Sequence, residues 1–133
     1  MAQDTRPNIF PSFRYRDAHA AIDWLERVAG FARQGVYPGT DGTVGHAELT
    51  LGAGTIMLGS LGAPDPANAW STATHGVYVY VADTDAHYAR ARAAGADIVR
   101  ELADTPYGSR EYSARDPEGN LWSFGTYYPE PPK

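Results

Sequence analysis

His46 and Glu48 are the two residues whose types and spacing best suit proton transfer or metal binding. Side chains two positions apart on a β-strand point to the same face of the sheet. An imidazole nitrogen and a carboxylate oxygen are both ligands for divalent metals, and both can move a proton. A purely structural role also fits, in which the two residues form a hydrogen-bonded pair at the back of a sheet or at a dimer contact.

Other catalytic signatures are missing from the sequence. It has no cysteine, no Gly-x-Ser-x-Gly elbow and no phosphate loop. The net charge of −5 argues against a nucleic-acid partner, because no basic surplus is present to neutralise phosphates. No long apolar run predicts a membrane span, and residues 1–8 lack the apolar core of a signal peptide. We therefore expect a cytoplasmic protein that contacts neither membrane nor nucleic acid.

An internal repeat indicates how the candidate residues are positioned. Gly30 and Gly95 each follow a helix-like run, and Gly54 and Gly119 each precede a strand-like run. Both pairs are 65 residues apart, since 95 − 30 = 65 and 119 − 54 = 65. A fixed period in a short chain indicates a duplicated structural unit. Two such units facing each other would form a cleft, which is the usual place for a binding site.

Each repeat reads as one strand, one helix and three further strands. In the first, Asp17 is a candidate helix cap and Gly30 a candidate helix end, and strands are predicted over 9–15, 32–37, 43–51 and 55–59. In the second, Asp83 or Asp85 caps a helix over 86–94, and strands are predicted over 76–81, around 98–99, over 109–115 and over 121–127. The predicted organisation is an α+β domain over 1–133, with module 1 at 9–59, a connector at 60–74, module 2 at 75–127 and a tail at 128–133.

Three motifs carry a family resemblance: VADTDA at 81–86, AGA at 94–96 and RDPEGN at 115–120. With the paired βαβββ pattern, they resemble the vicinal oxygen chelate superfamily, which includes glyoxalase I, fosfomycin-resistance enzymes, extradiol dioxygenases and bleomycin-resistance proteins. The segment GHAEL at 45–49 is similar to the PhnB-like or bleomycin-resistance-like subgroup. The resemblance implies two tandem modules that form a curved mixed sheet around a cleft. It does not fix the chemistry, because this scaffold hosts unrelated reactions.

The resemblance also implies where a metal would bind. Metal-dependent members place one ligand on the first and one on the last strand of each module. Those positions fall here on Phe10, Leu58, Gly76 and Ser123. None of these supplies an imidazole or a carboxylate, so we expect no metal and no cofactor. His75 would be a replacement ligand only if the strand register differed by one residue.

The turn at 116–119 decides which residues face the cleft. If it closes a regular hairpin, Arg115 pairs with Asn120 and Tyr112 with Ser123, so Glu48 and Glu111 point away from the cleft. A β-bulge would reverse this and bring His46 and Glu48 to the ligand. The candidate ligand-binding residues are therefore Phe10, Ser12, Arg14, His46, Glu48, Tyr78, Tyr80, Tyr112 and Ser123.

Most of the candidate set is aromatic or hydroxyl-bearing, which suits a flat organic ligand, and Arg14 could pair with an anionic group. The leading hypothesis is a metal-free protein that binds or sequesters an aromatic drug or metabolite, as bleomycin-resistance-type members do. The same resemblance implies a homodimer. A second is a metal-dependent lyase, isomerase or dioxygenase-like enzyme that uses His46 and Glu48. A third is a metal-free enzyme. Trp70, in the connector, either packs over the groove or anchors the loop.

Overall fold

The computed structural model describes residues 6–115, 117 and 120–129. Its elements confirm the predicted α+β class. They are β1 (Ile9–Tyr15), α1 (Ala18–Arg27), β2 (Ala32–Pro38), β3 (Val44–Leu51), β4 (Gly54–Ser60), β5 (His75–Tyr80), α2 (Thr84–Ala93), β6 (Asp97–Asp104), β7 (Arg110–Arg115) and β8 (Leu121–Gly125), with short 3-10 turns at Thr40–Gly42 and Ala69–Ser71.

The eight strands form one open mixed sheet in the order β2-β3-β4-β1-β5-β8-β7-β6. Strands β1 and β4 are parallel, as are β5 and β8, and the other neighbours are antiparallel. The β1–β5 pair joins the two halves, so each half is a βαβββ unit whose first strand lies at the centre of the sheet. The outermost strands are β2 and β6.

The capping aspartates and the glycines beyond the helices take the roles that the sequence predicts. The Asp17 side chain accepts a hydrogen bond from the Ala20 amide at 3.0 Å, and the Asp83 side chain accepts one from the Ala86 amide at 3.0 Å. Such caps satisfy an amide that has no partner within the helix. Beyond the helices, Gly30 and Gly95 have φ of 81° and 80°, a left-handed conformation that favours glycine. Because Asp83 is the cap, α2 starts two residues before the predicted position.

An aliphatic core fills the space between α1 and the sheet. Ala18, Ile22 and Leu25 of α1 are buried there. They belong to one cluster with four sheet residues, which are Val44, Ala47, Leu49 and Leu58. The i, i+4 and i+7 spacing of the three helix residues places them on one stripe of α1, which is why this face docks on the sheet.

The β7–β8 register differs from the predicted hairpin by one residue. Arg115 pairs with Leu121 and Ser113 with Ser123, whereas Tyr112 pairs with Phe124. Five residues, 116–120, therefore lie between the paired Arg115 and Leu121, and the prediction of four was wrong. Side chains alternate along a strand, so this single residue moves every side chain of β7 to the opposite face from the one expected.

Tyr112 shows the effect of that shift. It was expected in the cleft beside Ser123, but its ring is buried on the helix side, stacked 5.1 Å from Phe124. Its hydroxyl lies 2.5 Å from Nδ1 of His87 on α2. Tyr112 therefore supports the helix of the second module.

Among the described residues, no helix has the length and apolar character needed to cross a membrane.

Candidate functional site

A cleft of about 570 Å³ lies on the face of the sheet opposite the helices. Both halves of the sheet and the connector contribute to its wall. Its lining residues are Ser12, Arg14, Tyr37, Gly45, His46, Met57, Trp70, Tyr78, Arg100, Tyr107, Glu111, Ser123 and Tyr127. This volume is within the range of small-molecule sites in proteins, and the lining combines aromatic rings with a few polar groups, as such sites do.

Four residues from the first and last strands of the two modules form the floor of the cleft. In the sheet register Ser12 is paired with Met57, and Tyr78 is paired with Ser123. The two pairs correspond to each other, because both join the first strand of a module to its last. Their offset is 66 residues, since 78 − 12 = 66 and 123 − 57 = 66. Of the four positions at which the resemblance placed metal ligands, Ser123 lies on this floor and Leu58 does not.

The structure places the other three of those positions as follows. Leu58 is on the helix side, in the cluster beneath α1. Phe10 is buried on the cleft face, one strand pair beyond Ser12, where it packs with Met57 and Tyr78. Gly76 is opposite Ser12 on the neighbouring strand β5.

The floor does not suit a divalent metal. It offers a thioether, two aliphatic hydroxyls and a phenol, and none of the imidazole or carboxylate groups that such metals need. Two of these groups are already hydrogen-bonded to the protein: the Tyr78 hydroxyl donates to the Tyr127 carbonyl at 2.5 Å, and the Ser123 and Ser113 hydroxyls are 2.6 Å apart. In the part of the chain that the structure describes, no three His, Cys, Asp or Glu residues are grouped to hold a metal ion.

Trp70 of the connector packs over the groove and so forms part of the cleft wall. Its Nε1 donates a hydrogen bond to the Ser123 hydroxyl at 3.2 Å. A Cβ on Gly76 would lie 2.3 Å from Cη2 of the Trp70 ring, so glycine is needed at this point of close approach. The connector thus places a large ring on the central strands.

Glu48 faces the cleft side of the sheet, contrary to the prediction from hairpin parity. It is 2% exposed and pairs with Met57 across β3 and β4. Its Oε2 lies 2.9 Å from Nε2 of His46 and also accepts a hydrogen bond from the Tyr127 hydroxyl. His46 and Glu48 therefore lie together, as their spacing predicted, and Tyr127 links them to the second module.

Glu111 is a second buried carboxylate in the cleft, and its predicted orientation was also wrong. It accepts hydrogen bonds from Arg100 at 3.2 Å and from the Tyr107 hydroxyl at 2.8 Å. Burial raises the pKa of Tyr107, and its hydrogen bond to the Glu111 carboxylate raises it further. A signal for Glu111 was present in the sequence, since 111 − 46 = 65 makes it the repeat partner of His46.

Unlike Arg100, Arg14 has no carboxylate partner in the part of the chain that the structure describes. Its side chain is half-buried, and its Cζ lies 5.8 Å from the centre of the Trp70 ring. Among the described residues, none forms an ion pair with its guanidinium. Burial lowers the pKa of Arg14, although an arginine side chain stays protonated at neutral pH.

An aromatic cluster adjoins the cleft through Tyr78. Phe10 lies 6.3 Å from Tyr78 and 5.5 Å from Tyr128, and Tyr80 lies 5.1 Å from Tyr128, all between ring centres. Burial raises the pKa of Tyr78, and the Glu111 charge raises it further, so this phenol stays protonated. Phe10 and Tyr80 are not among the residues that line the cleft, whereas Tyr78 is.

The other histidines lie outside the cleft. His75 is exposed at the start of β5, paired with Phe13, and lines a smaller cavity of about 300 Å³ beneath the connector. His19 Nε2 is 2.9 Å from the Gly42 carbonyl oxygen. The lining residues that the sequence reasoning did not single out are Tyr37, Gly45, Met57, Arg100, Tyr107 and Glu111.

Residues 10–124 match the model of the Glyoxalase/Bleomycin resistance protein/Dioxygenase superfamily. The chain belongs to that superfamily. An uncharacterized protein of Mycobacterium tuberculosis is 33% identical over 132 residues, covering 94% of this chain and 77% of the relative.

Solved structures agree on the fold. A superfamily member from Vibrio splendidus 12B01 superposes with a TM-score of 0.68 at 21% identity, covering 88% of this chain and 96% of that one. Methylmalonyl-CoA epimerase from Mycobacterium tuberculosis gives a TM-score of 0.69 at 20% identity, covering 97% and 93%. TioX from Micromonospora sp. ML1 is 39% identical over 90% of this chain and 94% of its own, but with a TM-score of 0.36. At these identities the first two superpositions establish the fold alone.

Proposed function

We propose that this protein binds a small organic molecule with a flat aromatic part in the cleft between its two modules, without a resident metal ion. The observation that carries the proposal is the lining of the cleft: a volume of about 570 Å³ walled by Tyr37, Trp70, Tyr78, Tyr107 and Tyr127, with serine hydroxyls on the floor. Aromatic side chains offer a flat apolar surface with a polar edge, which suits a planar ligand.

Sequestration of a drug or metabolite, as in bleomycin-resistance-type members, is the form of binding that we propose. Both carboxylates of the cleft are engaged by the protein itself, Glu48 by His46 and Tyr127, and Glu111 by Arg100. Groups held in this way shape the wall and keep it rigid. A binding protein needs no more than such a wall and an opening for the ligand.

A metal-free acid–base enzyme is the second candidate, and the burial of Glu48 favours it. A carboxylate that is 2% exposed and lies beside a histidine and a tyrosine hydroxyl could accept a proton from a bound carbonyl compound. Glu48→Gln separates the two candidates. In an enzyme this variant should lose turnover while retaining the ligand, whereas in a binding protein no turnover exists to lose.

Ligand capture tests the proposal directly. The protein would be incubated with a small-molecule extract of its own cells, re-isolated, and analysed by native mass spectrometry. Ser12→Tyr fills the floor of the cleft and should abolish capture. Thr40→Tyr places the same ring on an exposed turn outside the cleft and should leave capture unchanged. Capture that is equal in both variants, or no capture by the unaltered protein, would refute binding in the cleft.

The proposal that no metal ion is resident in the cleft is tested separately. Elemental analysis of protein purified without chelator should give far less than one equivalent of zinc, nickel, manganese or iron. One equivalent that is lost in the Ser123→Ala and Met57→Ala variants would show that the floor does hold a metal, and would revive a metal-dependent lyase or isomerase.

Assembly remains a prediction. The outer strands β2 and β6 leave two sheet edges, which proteins commonly cover by association. We propose a homodimer, and sedimentation equilibrium at micromolar concentration measures it. A mass of one chain would contradict the proposal.

A further inference from the structure

Among the described residues, one positive charge of the cleft has no carboxylate partner. Arg100 is paired with Glu111, and on the surface Arg27, Arg33, Arg92 and Arg110 are each paired with a carboxylate. Arg14 is half-buried, yet within the described part of the chain no carboxylate pairs with it. A buried charge is costly unless it is paired, so the partner of Arg14 is expected to arrive with a ligand.

The surroundings of Arg14 leave room for such a partner. The residue paired with it on β4 is Gly59, which has no side chain to occupy the cleft face. Ser12, two residues before it, offers a hydroxyl on the same face. The Cζ of Arg14 lies over the Trp70 ring, 5.8 Å from the ring centre. A cation, a hydroxyl and an indole therefore meet around one open part of the cleft.

The negative groups of the cleft do not compete for this position. Glu111 is held by Arg100 and Tyr107, and Glu48 by His46 and Tyr127. The Arg14 guanidinium has no carboxylate partner among the described residues, so a ligand with a single negative charge would balance it. A carboxylate has that charge, and its two oxygens match the planar fork of a guanidinium.

We propose that the ligand of the cleft is a planar aromatic carboxylate, whose carboxylate binds Arg14 and whose ring lies against Trp70. This inference rests on the proposed function and specifies the chemical class of its ligand. Arg14 is the residue that selects the acid over neutral compounds of the same shape. Trp70 provides the stacking surface and is at the same time a spectroscopic reporter of occupancy.

Matched compound pairs provide the test. Calorimetry and indole fluorescence would compare benzoate, 2-naphthoate and anthracene-2-carboxylate with their three carboxamides, which have the same shape and no charge. Hydrogen bonds to a charged group predict that at least one acid binds about 10-fold to 100-fold more tightly than its amide. In Arg14→Gln this preference should disappear. In Arg14→Lys it should be reduced, because an ammonium keeps the charge without the fork.

Arg16→Gln is the matched control. Arg16 is exposed, lies two residues further along the chain and does not line the cleft, and its substitution removes the same unit of charge. The preference for acids should survive in this variant. Equal loss in Arg14→Gln and Arg16→Gln would show a long-range charge effect and would overturn the role of Arg14.

Failure of the inference is distinguishable from failure of the proposed function. Equal affinity for acids and amides, or no acid binding below about 1 mM, would overturn the carboxylate assignment. A cleft ligand that is captured from extract and is neutral or cationic would do the same while leaving the proposed function intact. Loss of the proposed function would instead appear as no cleft-dependent capture of any compound.

Discussion

The two modules share an order of elements but hold their helices in different ways. The capping residues Asp17 and Asp83 are 66 positions apart, so each position of α1 has a counterpart on α2. The buried residues of α1 are Ala18, Ile22 and Leu25, and their counterparts on α2 are Thr84, Tyr88 and Ala91. Of those three, Thr84 alone is buried.

The second helix instead docks through rings and polar groups. The His87 ring lies 4.4 Å from that of Phe124, and the Tyr88 ring lies 5.1 Å from that of Tyr112. The buried Thr84 hydroxyl has no hydrogen-bond partner among the described residues. A repeat can therefore preserve caps and strand order while the packing of its helix changes from aliphatic to aromatic. We therefore expect α2 to be held less firmly than α1.

The largest expected difference concerns Ile22 and its counterpart Tyr88. Ile22 is fully buried, so Ile22→Ala should lower the free energy of unfolding by about 2–5 kcal/mol through lost burial and the cavity that remains. Tyr88 is half-buried at the surface of α2, so Tyr88→Ala should cost clearly less. Urea unfolding measured by circular dichroism gives both values. Equal losses would contradict the claim that the helices are held differently.

A reciprocal exchange tests the buried hydroxyl. Thr84→Ala removes an unpaired hydroxyl and makes the position resemble Ala18 in the first module, so it should stabilise the protein by about 1 kcal/mol. Ala18→Thr buries a hydroxyl where none was present and should destabilise it by about 1–3 kcal/mol. Thermal and urea unfolding of both variants would decide. A Thr84→Ala variant that is less stable would show that the hydroxyl has a partner.

The smallest expected effect is a dependence of stability on pH through His87. Burial lowers the pKa of His87, and the nearby Arg90 charge lowers it further. In the unfolded chain His87 has the ordinary histidine pKa of about 6.5. Below that pH the unfolded chain therefore binds more protons than the folded protein. The contribution of neutral His87 to the free energy of unfolding is complete above about pH 6.5. It is lost as the pH falls towards the lower pKa that His87 has in the folded protein.

Variants at two histidines isolate this effect. His87→Gln removes the titrating ring and keeps a side chain able to bond the Tyr112 hydroxyl, so the slope of unfolding free energy below pH 6.5 should become shallower. His75→Gln removes an exposed histidine of β5 and should leave the slope as it is. An unchanged slope in His87→Gln would place the acid sensitivity elsewhere.

Local features of the fold could be predicted from the sequence because they depend on neighbouring residues. Asp17 and Asp83 cap the helices, and Gly30 and Gly95 end them, because each role is set within a few residues of the chain. The repeat then predicted the order of elements and the α+β class. For the site, the sequence predicted the proximity of His46 and Glu48, because two residues of one strand keep the same face wherever the strand lies.

Which side chains of β7 face the cleft depends on how many residues lie in the turn between β7 and β8. Amino-acid composition does not fix that number. In module 1 the hairpin pairs Thr50 with Thr55, and in module 2 it pairs Arg115 with Leu121. The second hairpin therefore holds one more residue between its paired positions than the first. That extra residue sends Tyr112 beneath α2 and leaves Glu111 on the cleft side. Since alternate side chains point to opposite faces, an error of one position inverts the whole strand.

The helix caps, the order of elements and the residue types available to a site follow from the amino-acid sequence without the fold. Which residues meet follows only from the folded chain: Trp70 lies over Gly76, Tyr127 bonds Glu48, and Arg14 lies in the cleft with no carboxylate partner among the described residues. Trp70 and Ser123 are 53 residues apart in the chain, and Tyr127 and Glu48 are 79 apart. The physical reason is that such contacts are set by strand register and loop path, which depend on packing over the whole chain.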